Sequence, residues 1–187
     1  ITKRDVNRLI DKIVDAGSPV AANRVLAFTK RFFSWCKERD ILELSPAEAI
    51  RPPSKEKIRD RVLTLDEMKN IWAACKQMGY PWGPIFQILL LTGARLREVS
   101  QASWSEVSIA DGTLDLPASR TKNKRSHQIQ LSDQAQNIIQ TLPRVEVQTL
   151  LFTTNGTTAV SGFSKVKKRL DIISGVADWR FHDLRRS

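Results

Sequence analysis

Two predicted helices meet in the stretch LLLTGARLREV, which runs from Leu89 to Val99. Its apolar residues recur at helical spacing, as is typical of a buried helix pair. Gly93 falls between the helices, and Arg95 follows in apolar surroundings where an unpaired charge is costly. This arginine therefore needs an anion, either Glu98 three residues later or an external ligand. The stretch by itself is equally consistent with a structural Arg–Glu pair and with a ligand site.

The charge balance indicates a polyanionic partner. The 187 residues include 30 Lys and Arg against 20 Asp and Glu, a formal net charge of +10. Nucleic acid is the leading candidate, although ribosomal, heparin-binding and membrane-surface proteins share such an excess. The mean hydropathy is −0.30, and no apolar run is long enough to cross a bilayer. We therefore expect a cytoplasmic protein with no membrane partner.

The two cysteines and the chain ends give further expectations. Cys36 and Cys75 lie in helical, partly apolar contexts, which favours buried free thiols over a disulfide. The sequence begins without methionine and stops abruptly after Arg185-Arg186. We interpret it as a fragment of a longer protein.

The pattern of helices and strands predicts two domains. A helix over 2–15, a second from Ser18-Pro19 onward and a short third helix with its capping box at 45–48 form a small all-α unit, residues 1–50. The proline pair and dense charge of residues 51–61 predict a linker. Residues 62–187 form the second domain, which is helical except for three short strands between about 104 and 131. The predicted fold class is mainly α with a small antiparallel three-stranded sheet (α+β).

One apolar stripe of the second helix is aromatic. It consists of Val25, Phe28, Phe32 and Trp35. Large side chains at this spacing belong more often to a core than to a platform for stacking nucleic-acid bases. We therefore expect the stripe to be buried.

Four residues from separate segments have the chemistry of a phosphodiester site: Arg95, Lys122 in the basic turn 119–126, His182 and Arg185. Two guanidiniums can hold non-bridging oxygens and stabilise a pentacoordinate transition state. A lysine can protonate a leaving oxygen, and a histidine can bind phosphate or transfer a proton near neutral pH. Because no cluster has metal-ligand spacing, no metal is predicted. Each feature alone is common on protein surfaces, and only the combination is informative.

In order and spacing these motifs resemble those of the tyrosine recombinases, or phage-type integrases. TGARLRE (92–98) is similar to their first arginine box, TKNKR (121–125) to their β-hairpin lysine, and HDLRR (182–186) to the start of their second box. The resemblance covers the whole chain. Residues 1–50 resemble part of a helical, SAM-like core-binding domain, and 62–187 resemble most of a catalytic domain. The opening LTLDE and the hairpin are most like those of prophage and genomic-island integrases.

The resemblance implies site-specific DNA recombination and integration through a 3′-phosphotyrosyl intermediate, without a cofactor. Arg95 and Arg185 would hold the scissile phosphate, and Lys122 would protonate the leaving 5′-oxygen. His182 would assist proton handling, and Glu98 would support Arg95. The partner would be double-stranded DNA, on which the full-length family assembles as a tetramer.

Further candidate DNA contacts are the cations of the linker and of the hairpin: Arg51, Lys55, Lys57, Lys124 and Arg125. A linker whose charges are only solvated is equally consistent with the sequence.

The position of the nucleophile limits what these 187 residues are expected to do. Their only tyrosine is Tyr80, which precedes the first arginine box, whereas the family nucleophile follows the second. We therefore expect a C-terminally truncated catalytic domain that binds DNA without cleaving it. Two alternatives are a type IB topoisomerase-like enzyme and a non-catalytic DNA-binding module. The TGxRxxE motif and the core-binding helices favour a recombinase over a topoisomerase. The presence of Arg95, Lys122, His182 and Arg185 argues against a recombinase that has lost its catalytic residues.

Overall fold

The chain folds into two compact units, Ile1–Arg59 and Asp60–Ser187. The computed structural model describes residues 1–56, 59–121, 123–144 and 149–186. The boundary between the units falls within residues 51–61, the stretch predicted as a linker. In the described residues, no helix combines the length and apolar character needed to span a membrane.

The first unit is built on two helices, α1 (Lys3–Asp15) and α2 (Pro19–Glu38). Thr2 caps α1: its hydroxyl accepts a hydrogen bond from the Asp5 N–H, and its own N–H donates to the Asp5 carboxylate. Proline at the first position of α2 is compatible with helix because that N–H needs no partner there. The buried core of this unit includes Val6, Ile10, Ala22, Leu26, Phe33, Ala47 and Ile50.

The aromatic stripe of α2 is not buried, so that prediction is wrong. Phe28, Phe32 and Trp35 are 73%, 54% and 45% exposed. The side chains that α2 buries against α1 lie on an adjacent face of the helix and include Leu26 and Phe33. The stripe therefore forms an exposed aromatic surface on the first unit.

The predicted short helix at residues 45–48 is also wrong, because this segment forms a turn. The Ser45 hydroxyl accepts a hydrogen bond from the Ala47 N–H at 3.3 Å, and the Glu48 carboxylate lies 3.6 Å from the Lys37 ammonium. A single turn makes too few intrahelical hydrogen bonds to offset the cost of nucleating a helix.

Both ends of the predicted linker make side-chain contacts within the units. In the first unit, the Asn23 amide donates to the Ser54 carbonyl at 2.8 Å and accepts from the Ser54 N–H at 3.2 Å. In the second unit, the Arg61 guanidinium lies 2.5 Å from the Glu67 carboxylate. The part of the stretch that joins these contacts includes residues 57 and 58, which lie outside the described residues.

In its described residues the second unit is mainly helical. Thr64 and Glu67 form a capping box at the start of its first helix. Gly93 has a left-handed backbone (φ 60°) and ends the second helix, as expected for the junction of a helix pair. The helices are α3 (Leu65–Met78), α4 (Trp82–Thr92), α5 (Leu96–Ser100), α6 (Asp133–Gln140) and α7 (Phe163–Ser174).

Three short antiparallel strands complete this unit, β1 (Val107–Ser108), β2 (Thr113–Leu116) and β3 (His127–Gln130). They pair in the order β1-β2-β3, which confirms the predicted fold class. The first strand is shorter than predicted, because Trp104–Glu106 forms a 3-10 turn in which the Glu106 carboxylate accepts the Ser103 N–H. The β2–β3 connection, which we call the hairpin (residues 117–126), carries the candidate lysine. Lys122 itself lies outside the described residues.

Candidate phosphate-binding site

Arg95 is the N-cap residue of α5 and is held by a carboxylate of that helix. Glu98, which is buried, accepts the Arg95 backbone N–H at 2.8 Å and its guanidinium at 2.6 Å. The Arg95 side chain remains 47% exposed. The internal anion anticipated from the sequence is therefore present, yet it occupies only one side of the guanidinium. The remaining donors stay accessible to a ligand.

The charge state of Glu98 is fixed by these contacts. Burial alone raises the pKa of the Glu98 carboxyl, but hydrogen bonds from the Arg95 backbone and side chain outweigh burial and hold it below its ordinary value. Glu98 is thus ionised at neutral pH and keeps Arg95 oriented.

The segment that carries the second arginine is anchored by its apolar residues. The Phe181 ring stacks on Phe86 of α4 with centroids 4.9 Å apart, and Leu184 is buried. The buried Asp183 carboxylate accepts the Arg180 N–H at 2.9 Å and closes the turn. Asp183 and Leu184 are buried, and Arg185, which follows them, is exposed.

Arg185 lies directly against the junction of the two helices. A side chain placed on Gly93 would put its Cβ 3.9 Å from the Cα and Cγ of Arg185. Since Gly93 is two residues before Arg95, the two candidate arginines flank one backbone turn. In the described part of the chain, no hydrogen bond or ion pair engages the Arg185 guanidinium.

Arg95 and Arg185 open onto one depression of about 250 Å³. Its remaining wall comes from the hairpin and the first residue of β3, and includes Arg125 and His127. Three guanidiniums and an imidazole thus line this space, and the Glu98 carboxylate that holds Arg95 is not part of the lining. Such a space is suited to an anion with several oxygens, and a phosphate diester is one. The full lining is Arg95, Thr121, Asn123, Arg125, Ser126, His127 and Arg185.

The turn of the hairpin is closed by a threonine. The Thr121 hydroxyl donates to the Arg125 carbonyl at 2.6 Å and accepts the Arg125 N–H at 3.1 Å. Lys124 has a left-handed backbone (φ 52°) within this turn and is exposed. The Thr121 side chain and the Arg125 backbone are therefore held together at the two ends of the turn.

The other predicted site residues are placed as follows. His182 is exposed at the start of the 3-10 turn Asp183–Arg185 and is not part of the depression's lining. Arg51 and Lys55 are exposed in the first unit. Lys57, like Lys122, lies outside the described residues. In the described residues no group of three His, Cys, Asp or Glu side chains is arranged to hold a metal ion.

Two residues near the site were not singled out by the sequence motifs. His127 lines the depression, although by sequence it is only the first residue of a strand. Arg120 directly precedes the lysine motif and lies in the basic turn 119–126. Its guanidinium contacts Glu106 and the α5 backbone. Two features of the sequence could have indicated His127: it is a polar residue at the end of a predicted strand, and it lies close to the lysine motif.

The hydroxyl of the single tyrosine, Tyr80, is engaged in hydrogen bonds to the backbone. The Tyr80 hydroxyl donates to the Leu151 carbonyl at 3.1 Å and accepts the Thr153 N–H at 3.1 Å. It joins the start of α4 to the segment that follows residue 149. The depression's lining does not include it.

Comparison with known proteins identifies the family. Residues 61–187 match the phage integrase family, so the chain belongs to that family, which confirms the resemblance seen in the motifs. A shufflon-specific DNA recombinase of Escherichia coli is 29% identical over 188 residues, which cover 98% of this chain and 47% of that protein. The chain thus spans about half the length of this curated relative.

Solved structures agree with the fold. A lambda integrase(75-356) dimer bound to a COC′ core site has a TM-score of 0.77 and 18% identity, covering 100% of this chain and 71% of the other. The Tn1549 transposon integrase in complex with circular-intermediate DNA has a TM-score of 0.69 and 13% identity, covering 99% and 70%. At these identities the likeness concerns the fold alone.

Proposed function

We propose that this chain is the part of a site-specific DNA recombinase that engages the scissile phosphate. The observation that carries the proposal is the common depression of Arg95 and Arg185, each with guanidinium donors left for a ligand. Membership of the phage integrase family supports the same chemistry. The protein would act in the cytoplasm, as a prophage or genomic-island integrase does.

In this mechanism the two arginines bind the non-bridging oxygens and stabilise the charge that develops on the pentacoordinate phosphorus. Lys122 would protonate the leaving 5′-oxygen, and His182 would assist proton handling. The attacking group would be a tyrosine, but not Tyr80. This nucleophile would form the 3′-phosphotyrosyl link as the 5′-oxygen leaves, and it would be released when the strand is rejoined. Glu98 supports Arg95 and does not contact the substrate.

Double-stranded DNA is the proposed partner. The candidate backbone contacts are Arg51, Lys55, Lys57, Lys124 and Arg125, in a chain of net charge +10. Self-assembly on DNA is also proposed. The supporting structures are a lambda integrase dimer on a core site and a lambda integrase tetramer on a Holliday junction.

Duplex binding by the 187-residue protein tests the proposal. Arg95→Ala and Arg185→Ala should each weaken the affinity for a 30-base-pair duplex about tenfold, since each removes charge-assisted hydrogen bonds to a phosphate. The slope of log affinity against log salt should also fall by about one per lost phosphate contact. Lys69→Ala is the matched control, because Lys69 is 74% exposed and pairs with the exposed Asp66 at the surface. Equal losses in all three variants would refute the arginine site.

A further inference from the structure

We propose that Arg120 is a positioning residue that fixes the base of the hairpin against α5. It thereby sets the distance between the lysine-bearing turn and Arg95. This inference rests on the proposed function, because the distance matters only if both meet one phosphate. Arg120 is not part of the depression's lining, so it acts through the residues that it holds.

The guanidinium of Arg120 joins the hairpin to the end of α5. One nitrogen donates to the Glu98 carbonyl at 3.0 Å and to the Arg97 carbonyl at 3.2 Å. The Arg97 carbonyl also accepts the Gln101 N–H at 3.3 Å, and a cation near the last turn of a helix is favoured by the helix dipole. Arg120 therefore adds hydrogen bonds to the last turn of the short helix whose N-cap is Arg95.

A second nitrogen of Arg120 forms an ion pair with Glu106. The two side chains are only 20% and 11% exposed. Glu106 is itself fixed, because its carboxylate also accepts the Ser103 N–H at 2.9 Å. One guanidinium thus joins the hairpin, the end of α5 and the turn that precedes β1.

The effect of this contact reaches the turn of the hairpin. Thr121, the next residue, closes the turn by two hydrogen bonds to the Arg125 backbone. A displacement of Arg120 would therefore move the turn as a whole. Lysine cannot replace this arginine fully, since its single ammonium lacks the planar fork that reaches two carbonyls and a carboxylate together.

The distance between two nitroxide labels tests the positioning role. One label is attached at Asn123→Cys and the other at Ile172→Cys on α7, where the native side chain is 82% exposed. The native cysteines are buried and should not be labelled. We expect Arg120→Met to broaden the distance distribution at least twofold, Arg120→Lys to broaden it less, and Lys69→Ala to leave it unchanged. An unchanged width in folded Arg120→Met would overturn the inference.

A milder variant guards against loss of folding. Glu106→Gln retains the size of the side chain and an acceptor for Ser103, and removes only the charge opposite Arg120. It should broaden the distribution less than Arg120→Met and in the same direction. If Arg120→Met does not fold and Glu106→Gln leaves the width unchanged, the inference is wrong.

DNA affinity separates this inference from the proposed function. Arg125→Ala should weaken duplex binding about tenfold in the otherwise native protein and less than about threefold when Arg120→Met is also present, because a mobile turn no longer delivers Arg125. If Arg125→Ala and the Arg95 and Arg185 variants have no effect, the proposed function fails, whatever the label distances show. If Arg125→Ala has the same effect with and without Arg120→Met, the positioning role of Arg120 is contradicted, whereas the proposed function is not.

Discussion

Glu98 binds Arg95 at two points, with one carboxylate oxygen on the backbone N–H at 2.8 Å and the other on the guanidinium at 2.6 Å. The same residue therefore caps α5 and orients the arginine side chain. A structural Arg–Glu pair and a ligand site, which the sequence presented as alternatives, coexist here because the pair leaves the other guanidinium donors exposed.

Loss of Glu98 should destabilise the second unit in a pH-dependent way. Glu98→Ala leaves two donors of Arg95 without their acceptor, a cost of about 1–3 kcal/mol at neutral pH. Because the pKa of Glu98 is lowered by folding, its ionic contribution is fully present above the ordinary carboxyl pKa and is lost as the pH falls through the lowered pKa. Urea unfolding of the native protein and of Glu98→Ala, followed by tryptophan fluorescence, measures the cost, and the same measurement on Glu98→Gln isolates the contribution of the charge.

The stability difference between the native protein and Glu98→Gln should shrink as the solution is acidified. Asp66→Asn is a suitable control, because Asp66 is 87% exposed and its pair with Lys69 is at the surface. A Glu98→Gln difference of undiminished size in acid would show that the charge of Glu98 is not what matters.

Gly93→Ala should lower both stability and DNA affinity. The left-handed backbone at φ 60° costs a residue with a Cβ about 1–2 kcal/mol. The added methyl group would also touch the Arg185 side chain. Gly175→Ala provides the comparison, since Gly175 ends α7 with φ 67° and has open space around it. Thermal unfolding should show similar losses for both variants, and duplex titration should show a loss for Gly93→Ala alone.

The 187-residue protein should not become covalently attached to DNA. Its only tyrosine is Tyr80, whose hydroxyl is engaged with Leu151 and Thr153. Incubation with a nicked suicide duplex and a denaturing gel tests this. Tyr80→Phe should instead cost about 1–2 kcal/mol of stability, since it removes two hydrogen bonds. A covalent band that disappears in Tyr80→Phe would give Tyr80 a catalytic role.

Neither cysteine should react while the protein is folded. Burial raises the pKa of the Cys75 thiol to about 12, so the reactive thiolate is scarce at pH 8. Cys36 is also buried, with 5% exposure. A colorimetric disulfide reagent should detect almost no thiol in the native protein and two per chain in denaturant. Rapid reaction of one native thiol would show that its helix opens readily.

Local signals in the sequence were sufficient for much of the fold. The capping residues Thr2 and Thr64 mark helix starts because each satisfies N–H groups within three residues. Gly93 marks the helix junction because its left-handed backbone excludes most other residues. The family motifs likewise pointed to Arg95 and Arg185, which the structure places at one depression.

The errors arose where the outcome depends on contacts distant in sequence. Helical periodicity shows that α2 has apolar faces, but it does not show which face α1 covers, and so Phe28 and Phe32 were misassigned. Arg120 was overlooked because its partner Glu106 is fourteen residues away, across two strands. His127 was overlooked because strand pairing with Leu116, and no local motif, brings it to the depression.

The exposed aromatic surface of α2 affects how copies of the protein associate in solution. With a net charge of +10, copies repel each other in dilute buffer. At about 0.15 M salt, charge is screened beyond about 8 Å. Phe28, Phe32 and Trp35 can then bring copies together through their apolar area. Raising the salt would thus weaken DNA binding and at the same time lower the concentration of free monomer. Because both effects reduce the apparent affinity, its salt dependence would indicate more released counterions than there are contacted phosphates.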